Sequence, residues 1–195
     1  MEPTALLDIL SVAERLKCGT RHCFTSSGRP ESIAEHSWRL ALMALLLRDE
    51  FPEADMNRVI GMCLIHDLGE AFTGDIPAFQ KQECHRDRET HSLRNWFCSF
   101  PEPAKTEFTG LLDEMEAQST EEAKIYKALD RLEAVIQHDE SDLSTWIPLE
   151  YELQFTYGSE NVKFSPYLQR LKAEIDRRTA EKISSAGTDA GTKEI

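Results

Sequence analysis

The sequence predicts an all-α protein folded as one compact bundle of about seven helices. Three observations carry this. Apolar residues recur at three- and four-residue spacing along most of the chain, and capping signals precede several of these stretches. No stretch alternates apolar and polar residues for long enough to read as a strand. With 195 residues, one core can bury roughly 70% of the surface that the unfolded chain exposes.

Residues 4–17 place Leu6, Leu7, Leu10, Ala13 and Leu16 on one helical stripe, and Gly19 supplies a left-handed cap after it. Residues 20–30 read as a loop carrying Arg21, His22 and Arg29. Ser32-Ile33-Ala34-Glu35 is a capping box opening a second helix, which runs to about residue 50. That helix is apolar almost all round from Leu40 to Leu47, so it belongs at the centre of the fold. Asp55 is the N-cap expected for a third helix, continuous through Thr73. The charged residues 81–94 predict a largely solvated helix docked through Trp96, Phe97 and Phe100. Pro101 and Pro103 open the next helix, with Phe108, Leu111, Leu112 and Met115 as its core stripe. Ser119 and Glu122 bracket a second capping box, and the helix beyond carries Ile125, Leu129, Leu132 and Ile136, with Asp130 beside that stripe. Residues 142–157 and 165–183 read as two further helices. The expected domain is therefore 1–183, followed by a disordered polar tail, 184–195, too poor in apolar residues to order itself.

Charge and cysteine content limit the function. A net charge of −13 argues against nucleic acid as a partner, because binding it needs clustered Lys and Arg. An anionic small ligand would need a local cationic site or a metal. The chain has no long uninterrupted apolar run, and its Met-Glu-Pro-Thr start lacks the basic residues of a signal peptide, so no membrane association is expected. Five cysteines without a C-x-x-C pair fit reduced thiols, and the expected location is cytoplasmic. Cys63 reads as a small core residue.

The chemistry concentrates in M-C-L-I-H-D-L-G-E-A-F-T-G-D-I-P, residues 62–77. It begins as an apolar helix and sets His66, Asp67 and Glu70 where that helix should be most buried. An imidazole and two carboxylates buried together call for a positive group, and a metal ion ties them best. Glu70 follows His66 by four residues and Asp67 by three, so on a helix it overhangs both. Gly74 ends the helix in time to present Asp75 from a turn. His36 and Asp130 stand on other apolar helices and complete a set of four potential ligands with His66 and Asp67. Two imidazoles and two carboxylates suit Mn, Fe, Co, Ni, Zn or Mg, and an octahedral ion would keep open positions for water and substrate. Taken singly, each residue has an ordinary explanation. A core histidine can be satisfied by one hydrogen bond, Asp130 can pair with Lys127 or Arg131, and Asp67 can pair with Arg39. His85 and His91 read as surface residues, and His138-Asp139 as exposed punctuation near a helix end.

His36, His66-Asp67 and Asp130, in that order, resemble the H…HD…D signature of the HD superfamily of metal-dependent phosphohydrolases. R-P-E-S-I-A-E-H-S-W-R around His36, H-D-L-G-E-A-F-T-G-D-I around the pair, and A-K-I-Y-K-A-L-D ending at Asp130 look like its 5′-deoxynucleotidase branch. The similarity spans approximately residues 5–175. The resemblance implies an HD-domain helical bundle with one divalent metal ion per chain, held by His36, His66, Asp67 and Asp130. It implies hydrolysis of the 5′-phosphate of nucleoside monophosphates, deoxynucleotides in that branch. Glu70 would orient or deprotonate the attacking water, and Asp75 would serve as acid at the leaving 5′-oxygen. Arg21 would contact the phosphate or the rest of the substrate, and the assembly would be a homodimer. His22 departs from the bacterial members, which carry at that point a tryptophan associated with telling deoxyribose from ribose. A histidine could offer a 2′-hydroxyl the hydrogen bond that selectivity requires to be absent. The same superfamily contains two rivals. Hydrolases of alarmones or other nucleoside polyphosphates carry an acid directly after the residue equivalent to Glu70, where this chain has Ala71. A non-catalytic, nucleotide-binding regulatory domain would be favoured by loss of Glu70 or Asp75, and both are present.

Overall fold

The structure is a computed structural model that describes residues 1–190, and the side chains of residues 1–186. In chain order, α1 (Pro3–Ala13) and α2 (Arg15–Cys18) lead into β1 (Thr20–Phe24) and β2 (Pro30–Ser32). Then follow α3 (Ile33–Leu46), α4 (Met56–Ile65), α5 (Glu70–Thr73), α6 (Glu83–Cys98) and α7 (Ala104–Ala117). The chain closes with α8 (Glu121–Glu140), α9 (Pro148–Thr156) and α10 (Pro166–Ala190). Helices α3, α4 and α8 pack against one another and form the centre. Leu40, Val59, Met62, Ile125, Leu129 and Leu132 from these three helices are completely buried. The helical class and the expected core stripes of α7 and α8 match this arrangement.

Several boundaries follow local chemistry that the apolar pattern does not report. Residues 20–32 form an antiparallel hairpin, not a loop. Its strands have five and three residues, too short to show a readable alternation. The first predicted helix breaks at Glu14 into α1 and α2, and only Leu16 of its stripe is buried. Leu6, Leu7 and Leu10 stay exposed, and so do Leu45 and Leu46 at the end of α3. The capping box of α3 forms as expected: Ser32 Oγ accepts from the Glu35 N–H at 3.2 Å, and Glu35 Oε2 accepts from the Ser32 N–H at 2.9 Å. Asp55 caps α4 by accepting from the N–H groups of Asn57 and Arg58. The cap of α8 is Thr120 rather than Ser119, and its hydroxyl accepts from the Ala123 N–H. The helix predicted over 142–157 divides into a 3₁₀ turn, Leu143–Thr145, and α9, where Pro148 takes the first helical position. Helix α10 runs on to Ala190, past the boundary expected at residue 183. Once its docked turns are formed, each added residue gains a backbone hydrogen bond at little cost. Residues 191–195 of the expected tail lie outside the described residues.

One departure shapes the functional region. The third helix is not continuous: α4 stops at Ile65, and the chain tightens into 3₁₀-type turns before α5. The N–H groups of Leu68, Glu70 and Ala71 donate to the carbonyls of Ile65, Asp67 and Leu68. Gly69 is the reason that α6 can lie against these turns. A Cβ placed on it would stand 2.8 Å from Glu89 Cγ and 3.1 Å from the Glu89 carbonyl oxygen. Gly69→Ala should therefore push α6 away and cost about 1–3 kcal/mol of stability, as overpacking does. Chemical denaturation measures it; an unchanged midpoint would show that α6 yields freely.

Candidate metal centre

The three central helices deliver the four predicted ligands to one point. His36 lies one turn into α3, immediately after its capping box. His66 is the C-cap residue of α4, Asp67 opens the tight turns beyond it, and Asp130 is halfway along α8. The Nε2 atoms of His36 and His66 are 3.2 Å apart. Asp130 Oδ1 is 3.3 Å from His36 Nε2 and 3.7 Å from His66 Nε2. Asp67 Oδ2 is 3.0 Å from His66 Nε2 and 3.7 Å from His36 Nε2. Ligands at about 2.0–2.2 Å from a common ion lie about 3 Å apart when cis in an octahedron, so these separations suit a single ion.

Hydrogen-bond accounting sharpens the point. His66 Nδ1 is 2.9 Å from the Cys63 carbonyl oxygen, which can only accept, so the proton of a neutral ring sits on Nδ1. His36 Nδ1 faces Glu133 Oε2 and donates to it in the same way. Both Nε2 atoms are then left with lone pairs, and they point at each other and at two carboxylate oxygens. Four electron-pair donors facing one another call for positive charge among them. Burial and Arg21 lower the His36 pKa, yet Glu133 and Asp130 more than reverse this and carry it to about 9. The surroundings thus favour positive charge at His36, whether a proton or a metal ion. Asp67 and Asp130 are both held well below the usual carboxylate range. Burial opposes this, but His66 and His36 outweigh it at Asp67, and Lys127 and His36 do so at Asp130. Lys127 Nζ holds the second Asp130 oxygen at 2.9 Å, so the pairing expected from sequence alone coexists with the ligand position.

A family model described as HD domain matches residues 13–172. The chain belongs to the HD domain family. It is 35% identical over 169 residues to the 5′-deoxynucleotidase HDDC2 of Mus musculus, covering 84% of this chain and 82% of that protein. The 5′-deoxynucleotidase HDDC2 of Homo sapiens is 32% identical over 194 residues, covering 95% and 91%. A solved structure described as a predicted metal-dependent phosphohydrolase from Magnetospirillum magnetotacticum superposes with a TM-score of 0.76 at 27% identity, covering 92% of this chain and 93% of that one.

Around its centre this HD domain carries charged groups that sequence reasoning missed. Glu133 is completely buried and accepts from His36 Nδ1, from Arg39 Nε at 2.6 Å and from Arg21 at 3.5 Å. Burial works against its ionisation, but His36, Arg21 and Arg39 hold it at about 2. Arg39 is therefore spent on Glu133 and Glu140, and not on Asp67 as the sequence allowed. Glu133 follows Asp130 by three residues on the inner face of α8, a spacing the sequence displayed. Glu31, also buried, accepts from Arg21 at 3.3 Å, and burial with the Glu133 charge raises it to about 7. Arg21 is thus an anchored strand residue, not a loop arginine in water.

Glu70 and Asp75 stand at the rim. Glu70 is buried; its Oε1 accepts from Lys81 at 3.3 Å, and its Oε2 has no hydrogen-bond partner. Burial, then Asp67, Asp75 and Glu89, push Glu70 up to about 10. Lys81 also pairs with Glu89 at 2.5 Å, so part of the stretch read as solvated faces the centre. Asp75, presented after Gly74 at φ +74°, is half-buried, and burial raises its pKa. Two cavities meet here. The larger, about 440 Å³, holds His66, Asp67, Glu70, Asp130 and the cations Lys81 and Arg86. The smaller, about 320 Å³, is lined by His22, Phe79, Val135 and Leu153. Arg21, Asp75 and Tyr157 border both. His138, read as exposed, lines the smaller cavity instead, because it faces α9 rather than solvent.

Replacing Glu133 tests how far the ligands depend on it. Glu133→Gln should weaken divalent-metal affinity about 10- to 100-fold, as loss of a histidine-orienting carboxylate does. Chelator competition measures this; unchanged affinity would show that His36 is oriented by packing alone.

Proposed function

We infer that this HD domain is a phosphoric monoester hydrolase that removes the 5′-phosphate of nucleoside monophosphates, with deoxynucleotides as its substrates. The observation that carries this is the four-donor centre opening into a cavity that carries Arg21, Lys81 and Arg86 and joins a mostly apolar one. The relatives named 5′-deoxynucleotidases support the same activity. His36, His66, Asp67 and Asp130 would hold one divalent ion per chain, from among Mn, Co, Zn, Fe, Ni and Mg. Such an ion supplies an acidified water and a polarised phosphoryl oxygen.

The protein's own groups do the rest. Glu70, buried with one oxygen unpartnered and lining the same cavity as Asp67, would orient the attacking water and accept its proton. Its raised pKa puts a proton on it when the nearby carboxylates are uncompensated, and positive charge beside Asp67 works in the opposite direction. Asp75 keeps a proton more readily than an exposed aspartate, which supports its role as the acid at the leaving 5′-oxygen. Arg21, fixed by Glu31 and Glu133 and facing both cavities, holds the substrate where phosphate and sugar meet. His22 lies on the sugar side, its ring edge-on to Phe79 at 5.5 Å.

A homodimer and a cytoplasmic location complete the proposal. Helix α1 has no buried residue and leaves Leu6, Leu7 and Leu10 exposed, which supports self-association. All five cysteines are free, which suits a reducing compartment. No helix among the described residues is long and apolar enough to cross a membrane.

Phosphate release from the four common deoxynucleoside monophosphates and their ribonucleotide counterparts tests the activity, using chelated protein and protein resupplied with Mn, Co, Zn or Mg. Metal-dependent release is expected, and no release from any monophosphate under any metal would overturn the assignment. Equal rates for AMP and dAMP would show that His22 has relaxed sugar selection. Asp67→Ala should lose the metal, whereas Glu70→Ala should keep it and lose about 10²- to 10⁴-fold in kcat. Elemental analysis beside kinetics separates the two; stoichiometric metal in Asp67→Ala would refute the ligand set.

A further inference from the structure

Most of the cations that line the larger cavity are already paired. Arg21 donates to Glu31 and Glu133, Lys81 pairs with Glu70 and Glu89, and Lys127 holds Asp130. A charge balanced at such short range contributes little attraction for an incoming anion. Arg131 lines the same cavity and is half-buried. Among the described residues it has no carboxylate within ion-pair distance and no hydrogen-bond acceptor. Its head and stem are nonetheless held. The guanidinium carbon stands 4.6 Å from the centre of the Tyr157 ring. Gly158, at φ +79°, lets the backbone close on the stem, since a Cβ there would lie 2.9 Å from Arg131 Cβ. Stacking fixes the plane of a guanidinium and leaves its N–H edge available to donate. Tyr157 borders both cavities, so the stack stands where they meet. Arg86 also lacks a carboxylate partner, but it is exposed and donates to the Lys81 carbonyl oxygen at 3.2 Å.

We propose that Arg131 is a further substrate-contacting residue, whose guanidinium edge donates to the phosphoryl oxygens of the monophosphate, and that Tyr157 is the residue that positions it. The identity of the ligand rests on the nucleotidase reading above. A phosphate monoester arrives as a dianion, and Arg131 is the half-buried cation of this cavity that no acid neutralises. The planar fork of an arginine meets two phosphoryl oxygens at once, which a lysine in its place would not do. Phosphoryl oxygens carry their charge before reaction and gain little in a loose transition state. The contact is therefore made in bound substrate and transition state alike, so its loss raises KM more than it lowers kcat.

The test uses metal-loaded protein with dAMP, inorganic phosphate and deoxyadenosine. Arg131→Met keeps an apolar stem and removes the donors. Its KM for dAMP should rise about tenfold or more, with kcat within about threefold of wild type. By calorimetry it should bind inorganic phosphate about tenfold more weakly and deoxyadenosine as tightly as wild type. Arg131→Lys keeps the charge but loses the fork, and its phosphate affinity should fall between those of Arg131→Met and wild type. Tyr157→Leu should weaken phosphate about threefold or more, and Tyr157→Phe, which restores the ring, should recover most of that loss. Unchanged phosphate affinity in either arginine variant would overturn the proposal. Equal losses for phosphate and deoxyadenosine would do the same, since they would assign Arg131 to packing, and so would a loss confined to kcat. The phosphate measurement needs no turnover. An Arg131-dependent phosphate site in a protein that hydrolyses no monophosphate would therefore count against the nucleotidase reading alone.

Discussion

Everything in this fold that bears on function depends on two imidazoles whose outer nitrogens are already committed. The Cys63 carbonyl takes the His66 Nδ1 proton, and Glu133 takes that of His36. In neutral rings the inner nitrogens then meet at 3.2 Å as two lone pairs, with Asp67 and Asp130 alongside. Such a group is unstable by itself, because unpaired buried charge typically costs several kcal/mol. Packing of α3, α4 and α8 imposes it, since the apolar stripes that build the core also carry the donors. A cation would convert this imposed repulsion into cohesion, and would link metal binding to the stability of the three central helices.

The acidic composition is compatible with an anionic substrate because fixed cations stand among the carboxylates of the larger cavity. Lys81, Arg86 and Arg21 border the cavity that contains the centre, in a chain of net charge −13. Lys81 is held by Glu70 and Glu89 and Arg21 by Glu31 and Glu133, whereas Arg86 donates to the Lys81 carbonyl oxygen. They are consequently fixed in direction, and preorganised charge is more useful to a transferring phosphoryl group than mobile charge. The neighbouring cavity is mostly apolar, and the border residues Arg21 and Asp75 mark the change of character.

Much of the candidate centre was legible in the sequence because each of its donors interrupts an apolar helical stripe, where an unpaired polar group is anomalous. His36, His66, Asp67 and Asp130 all have that quality, as does Glu70. Other features were hidden for identifiable reasons. The 3₁₀ turns after Ile65 depend on α6 packing over Gly69, a contact between segments distant in sequence. Lys81 and Glu89 sit among charged neighbours, and composition cannot tell an inward-facing charge from a solvated one. Glu133 was readable in principle from its spacing to Asp130. His138 was not, since its burial is created by α9, which follows it in the chain. The exposed leucines of α1 show the converse, a helical stripe without a partner in the single chain.

The most direct measurement of the central claim is anomalous diffraction from crystals of the protein loaded with Mn or Co. The account predicts one strong peak per chain, within bonding distance of His36 Nε2, His66 Nε2 and one oxygen each of Asp67 and Asp130. A peak elsewhere, or one that leaves either imidazole outside bonding distance, would contradict it.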